Sequence, residues 1–72
     1  YTLPADGTVK LTIYNALGQS IRTLVNEHQR TGEYAVTWNA TNDTGQPVAD
    51  GLYFYRITTP NGDLIRKMLL LK

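Results

Sequence analysis

The triad Asp43-Thr44-Gly45 is the stretch of this sequence that most directly suggests catalysis. Aspartic proteases carry their catalytic aspartate in such a triad, and two of these loops must meet so that two carboxyl groups share a proton. In those enzymes the triad follows apolar residues on a buried strand, whereas here it follows the polar Asn42 in a stretch rich in turn formers. The sequence therefore favours an ordinary Asp-Thr-Gly turn.

Oxygen-bearing side chains recur around the same triad, at Asn39, Thr41, Asp43 and Asp50. Oxygen ligands at alternate positions are typical of calcium loops. This stretch lacks the bidentate glutamate and the run of acidic residues that a dedicated calcium loop uses. The chain also has no cysteine and only one histidine, so the usual zinc ligands are missing. We predict no metal and no other cofactor.

The remaining titratable side chains form no recognisable catalytic set. His28 lies in the polar stretch "NEHQR", which we interpret as a solvated connection, and the only serine, Ser20, lies in a different predicted element. There is no Gly-x-Ser-x-Gly motif. The carboxylates are scattered over predicted loops and strand ends, at Asp6, Glu27, Glu33, Asp43, Asp50 and Asp63. We do not expect an enzyme.

Aromatic side chains offer a different chemistry, since their faces can stack on sugars. The candidates are Tyr14, Tyr34, Tyr53, Phe54 and Tyr55. Alternation along a strand would place Tyr53 and Tyr55 on one face and Phe54 on the other, which is typical of core and sheet-face packing. A carbohydrate platform remains the alternative.

Composition limits the classes of partner. The chain has 72 residues and a formal net charge of +1, far from the concentrated basic field of a nucleic-acid-binding protein. Its longest apolar run, residues 68–71, is four residues long, whereas a membrane-spanning helix needs about 20. We expect one domain over residues 1–72. Because the sequence begins without methionine and without a leader-like stretch, we expect it to be a segment of a longer protein.

Period-two alternation predicts the elements that must position these residues. Residues 8–14 place Val9, Leu11 and Ile13 on one face, and residues 20–26 form a second strand after the turn at Gly18. The stretch "EYAVTWN" predicts a third strand, with Trp38 at the centre of the core. The connection "NEHQR", residues 26–30, is expected to be a loop or a single helical turn.

Two further strands are predicted near the end of the sequence, "LYFYRITT" and "DLIRKMLLLK", joined by a "PNG" turn. Counting "YTLP" as the tail of an incomplete first strand gives six to seven short strands. The fold class is therefore an all-β, immunoglobulin-like antiparallel β-sandwich. The last strand is apolar on both faces, with Leu64, Met68 and Leu70 on one side and Ile65, Leu69 and Leu71 on the other. Such a strand needs a central place in the sheet or a partner.

The segments "YTLP", "VKLTIYNALGQSIRTLVN", "GEYAVTWNATNDTGQPVADGLYFYRI" and "RKMLLLK" together resemble the type A C-terminal sorting domain of the type IX secretion system. The resemblance covers nearly all of the chain. It implies a seven-stranded immunoglobulin-like domain that directs an exported N-terminal passenger through the outer-membrane secretion machinery. The passenger would pass through the periplasm and reach the cell surface or the medium.

The same resemblance implies that Lys67, Met68, Leu70 and Lys72 form the terminal recognition segment. Glycines such as Gly18 and Gly51, together with Trp38, would be structural. The family commonly has a further strand upstream of "YTLP", which this sequence lacks. The first strand is therefore expected to be truncated.

Two alternatives remain. The stretches "GEYAVTWN" and "GLYFYRI" are also similar to the immunoglobulin-like domain of flagellar hook-capping proteins, which implies an assembly module. A structural or carbohydrate-binding module of a multidomain secreted protein is the third possibility. The ending "KMLLLK" favours the sorting domain, because a sorting signal must be C-terminal.

Overall fold

A computed structural model describes residues 1–71 of the chain. The described residues contain six strands and no helix, which confirms the all-β prediction. The strands are β1 (Thr2–Leu3), β2 (Gly7–Asn15), β3 (Ser20–Gln29), β4 (Gly32–Glu33), β5 (Gly51–Thr59) and β6 (Gly62–Leu70).

Four strands form an antiparallel sheet in the order β3-β2-β5-β6, and β1 pairs with β4 in a two-stranded sheet. The two sheets make a small sandwich of the immunoglobulin-like type. The β2–β3 hairpin closes through Asn15, whose Oδ1 accepts hydrogen bonds from the backbone N–H groups of Leu17 (3.0 Å) and Gln19 (2.9 Å). Gly18 follows with φ of 83°, a backbone conformation that residues other than glycine and asparagine rarely adopt.

The core lies between the four-stranded sheet and β1. Leu3 and Val9 are fully buried, and Leu11 and Ile57 pack with them. β1 is held in place by β4 and by Tyr1, whose backbone carbonyl accepts from the N–H of Tyr34 at 2.8 Å. The rings of Tyr1 and Tyr34 stack with their centroids 5.3 Å apart. A two-residue strand therefore supplies one of the largest buried side chains.

The prediction of a strand over "EYAVTWN" was wrong. Only Gly32–Glu33 is paired, and no backbone hydrogen bond joins Ala35, Val36 or Thr37 to another described residue. Trp38 is half-buried instead of lying at the centre of the core. Its ring packs edge-on against Tyr53, and its indole Nε1–H donates to the carbonyl of Thr41 at 2.8 Å.

The "NEHQR" connection was also predicted wrongly, because β3 continues to Gln29. Residues Glu27, His28 and Gln29 pair with Val9, Thr8 and Gly7. The neighbouring strand β2 fixes this pairing, although the side chains of this part of β3 are polar. The closing strand lies as predicted up to Leu70, and Lys72 lies outside the described residues.

Candidate interaction surface

The free edge of β6 is the least protected part of the sheet. β6 pairs with β5 over nine consecutive residue pairs without a register shift, and with no described strand on its other side. The opposite edge of the sheet is β3, whose pairing with β2 has two register shifts and whose last residues are polar. Register shifts and polar side chains are the usual means of preventing an edge from pairing with another chain. The β6 edge lacks register shifts, and its charged side chains are Asp63, Arg66 and Lys67.

The outward face beside this edge is apolar. We define the outer patch as Leu52 and Phe54 of β5 with Ile65, Lys67 and Leu69 of β6. Cross-strand pairing sets Phe54 opposite Lys67 and Leu52 opposite Leu69. Leu52 is 42%, Ile65 57% and Leu69 66% exposed. Contiguous exposed apolar side chains rimmed by charges are typical of protein interaction sites.

Charges at the outer patch are of both signs. The guanidinium of Arg56 forms an ion pair with Oδ2 of Asp63, the first of the outward-facing residues of β6. Lys67 is exposed and makes no ion pair with a described residue. The outer patch therefore offers a partner apolar contacts and one cation that has no ion pair with a described residue. The adjacent Asp63 adds its second carboxylate oxygen.

The inward face of β6 is only partly covered. An open apolar groove of about 700 Å³ separates it from the extended segment of residues 34–38. Tyr34, Val36 and Trp38 form one wall of the groove, and Tyr55 and Met68 are among the side chains on the other. The strand is thus unprotected at its edge and incompletely packed on both faces.

The predicted recognition residues do not lie on one face. Lys67 is exposed on the outward face, whereas Met68 and Leu70 are half-buried on the inward face beside Tyr53 and Gly51. Lys72 is outside the described residues. The structure brings Lys67 together with Ile65 and Leu69, two side chains that were singled out in the sequence only as apolar.

The loop with the Asp-Thr-Gly triad is built as a structural turn. Oδ1 of Asn42 accepts from the N–H groups of Thr44 (3.1 Å) and Gln46 (3.0 Å). The carboxylate of Asp43 accepts from the N–H of Thr23 at 3.0 Å, which ties the loop to β3. Asp43 is thus engaged in holding the loop and is not aimed at a second carboxylate.

A cation does sit at the oxygen-rich loop, but it is a side chain of the protein. Nη1 of Arg22 donates to Oγ1 of Thr41 at 2.7 Å and to the carbonyl of Asn42 at 3.0 Å. Thr41 in turn donates to Oδ1 of Asn39 at 2.6 Å. Arg22 was not singled out in the sequence, because nothing local links it to a loop nineteen residues away. Of the four residues of the calcium hypothesis, Thr41 therefore binds this guanidinium.

The other sequence candidates are dispersed. His28 is exposed on β3, and residues 1–71 contain no group of three or more His, Asp or Glu side chains that could bind a metal ion. The aromatic rings lie on both faces of the sheet, with Tyr53 and Tyr55 inward and Tyr14 and Phe54 outward, so they form no single platform. No helix long and apolar enough to cross a membrane is found among the described residues.

Comparison with known protein families gives a match over most of the chain. Residues 1–67 match the family model described as the FlgD Ig-like domain. No curated protein and no solved structure matches at a significant level. The matched range includes all of β1 to β5 and most of β6.

Proposed function

We propose that this chain, which belongs to the FlgD Ig-like domain family, is a non-catalytic assembly module that binds another protein chain through β6. The family match favours the hook-capping type of module over the sorting domain among the families that the sequence resembles. Modules of this type act through their surfaces, and β6 with the outer patch is the surface best suited to binding. The proposal depends above all on β6 being a regular edge strand with apolar side chains on both faces.

Strand addition is the mode of binding that this surface supports. A partner strand laid along β6 would pair with its unpaired backbone groups, and the outer patch would take apolar side chains of the partner. The energetic gain comes from burying Ile65 and Leu69, which are more than half exposed in the isolated chain. Burial of apolar surface contributes about 25 cal/mol per Å².

Photocrosslinking in the native host tests this role. A benzophenone amino acid at Ile65 or Leu69 is expected to give one or a few discrete crosslinked products, because the partner lies against these side chains. The matched control is the same amino acid at His28, an exposed position on the opposite edge strand. Products from His28 and none from the two β6 positions would refute binding through β6.

The sorting role is a second candidate, and the exposed Lys67 among apolar side chains on β6 is the observation that favours it. In this proposal the chain directs an exported passenger to the outer-membrane machinery and onward to the cell surface or the medium. A periplasmic reporter fused to the chain would then reach the surface in a type IX host and stay in the periplasm of a translocon-deficient mutant. Substitution of Lys67, checked for folding by circular dichroism, should reduce export, and a reporter retained in both strains would refute this candidate.

A further inference from the structure

Beyond the proposed binding role of β6, on which this inference rests, we infer that the partner strand is β6 of a second copy of the same chain. The two strands would pair antiparallel about a two-fold axis at Ile65. The four-stranded sheets of the two copies would then form one continuous eight-stranded sheet. Such an interface is isologous, so that the same residues contribute from both sides.

The charges on β6 favour this occupant and this register. When Ile65 lies opposite its own mate, Asp63 lies opposite Lys67 of the second copy, and the pair occurs twice. Side chains directly opposite each other on antiparallel strands are in contact, and opposite charges there are stabilising. Asp63 uses Oδ2 for Arg56, which leaves Oδ1 for the incoming ammonium group.

Neighbouring registers are less favourable for the same reason. An axis at Arg66 would set the two Arg66 side chains opposite each other, and an axis at Lys67 would do the same with the two lysines. Like charges directly opposite are destabilising. The like charges therefore disfavour these two registers, and the two Asp63–Lys67 pairs favour the register centred on Ile65. A net charge of only +1 adds little long-range repulsion between copies.

The shape of the edge permits the pairing. β6 carries no proline and pairs with β5 without a bulge, and seven of its residues, 62–68, would overlap with the second copy in this register. On the inward face Leu64 would lie opposite the aliphatic stem of Arg66. Central strands are the usual place for side chains that are apolar on both faces, and the pairing makes β6 central.

A single cysteine tests the register. The chain has no cysteine of its own, so Ile65→Cys introduces the only thiol. In the inferred pair the two Cα atoms at this position lie about 4.5–5.5 Å apart, within the range that a disulfide bridges. We expect mild oxidation to give a covalent dimer of Ile65→Cys. Leu69→Cys is the matched control, because Leu69 lies outside the overlap and its two copies would be offset by eight residues, roughly 26 Å along the strand. A dimer from Leu69→Cys and none from Ile65→Cys would overturn the inferred pairing.

Charge exchange tests the occupant without any crosslink. Sedimentation equilibrium of the purified chain should show a monomer–dimer equilibrium, and Lys67→Asp or Asp63→Lys alone should raise the dimer Kd by about tenfold or more. An equal mixture of the two variants should restore dimers. In the mixed pair, unchanged Asp63 faces unchanged Lys67, and the introduced aspartate faces the introduced lysine. Circular dichroism establishes that each variant is folded.

Two results would overturn self-association: a wild-type chain that is monomeric up to about millimolar concentration, or a mixture that dimerises no better than either variant alone. The binding role of β6 would survive them if photocrosslinks from Ile65 in the host join it to a different protein. Both the binding role of β6 and self-association would be refuted if the β6 positions gave no crosslink in the host.

Discussion

Replacement of Leu3 by alanine should unfold this domain more readily than almost any other single change. Leu3 is 0% exposed and belongs to a strand that is joined to β4 by two residue pairs. Truncating a buried leucine to alanine costs about 2–5 kcal/mol. A domain of 72 residues has a free energy of unfolding of about 4–11 kcal/mol, so the substitution would remove a large part of it.

Urea denaturation followed by far-ultraviolet circular dichroism measures this loss. With a denaturant dependence of about 1 kcal/mol per molar urea, the midpoint should fall by about 2 M or more. The matched control is Leu17→Ala, because Leu17 is 85% exposed in the β2–β3 turn. That change should stay within about 0.5 kcal/mol of the wild type. Equal midpoints for the two variants would refute the argument that β1 closes the core.

Three further predictions concern the loops. The backbone N–H and the hydroxyl of Thr31 both donate to Asp6 and hold the pKa of its carboxyl below the ordinary value of 3.8. These hydrogen bonds stabilise the fold above pH 3.8, and the stabilisation is lost as the pH falls through the lowered pKa. Urea denaturation should therefore show a larger difference in the free energy of unfolding between wild type and Asp6→Asn at pH 7 than at pH 2. Arg22→Ala should lower the free energy of unfolding by about 1–3 kcal/mol and speed amide hydrogen exchange in residues 39–46. Arg30→Ala, the control, should do neither. Unchanged exchange in Arg22→Ala would contradict the idea that the guanidinium holds the loop in place. Gly45, with φ of 83° and open space around its Cα, should tolerate asparagine better than alanine, by roughly 0.5–1 kcal/mol in thermal unfolding.

Strands whose pattern reflects their own burial could be predicted from the sequence. β2 is the clearest case, since Val9, Leu11 and Ile13 are 0%, 5% and 2% exposed, while Lys10 between them is exposed. Thr12 departs from the pattern and is 4% exposed on the outward face, because it lies between Thr23 and Arg56 of the two neighbouring strands. The β5–β6 hairpin was predicted correctly for the same reason. Its turn was predicted wrongly, because Thr59 pairs with Gly62 and the two turn residues are Pro60 and Asn61, not Asn61 and Gly62.

Pairing partners could not be predicted from local patterns. Tyr34, Val36 and Trp38, which the alternation in "EYAVTWN" placed on one face, all line the groove, together with Ala35 from the predicted opposite face. A strand also requires a neighbour for its backbone, and beyond Tyr34 this segment has none among the described residues. The end of β3 shows the converse, since polar residues with no apolar face are held in the sheet by β2.

The candidate site depends even more on strand order and on contacts between residues that are distant in the sequence. The sequence shows that β6 is apolar on both faces, but it does not show whether the strand is central or at an edge. Arg22 likewise acquires its role only when β3 meets the loop of residues 39–46. Of the predicted recognition residues, only Lys67 has a side chain that the structure places on the outer patch.

A lysine on an edge strand is commonly a device that prevents pairing, so Lys67 must be weighed against the idea that β6 is a binding edge. A lone lysine would oppose pairing of two copies in the registers centred on or near it, since the two ammonium groups would approach each other. Asp63, two positions before Ile65 on the same face, changes this in one register only, where each lysine meets an aspartate. The same two charges therefore support the register centred on Ile65, whereas the paired lysines disfavour the register centred on Lys67 and the paired arginines disfavour the one centred on Arg66. This selectivity, on a strand with no bulge and no proline, is the reason to expect a defined pairing of two copies instead of indiscriminate association through an exposed apolar edge.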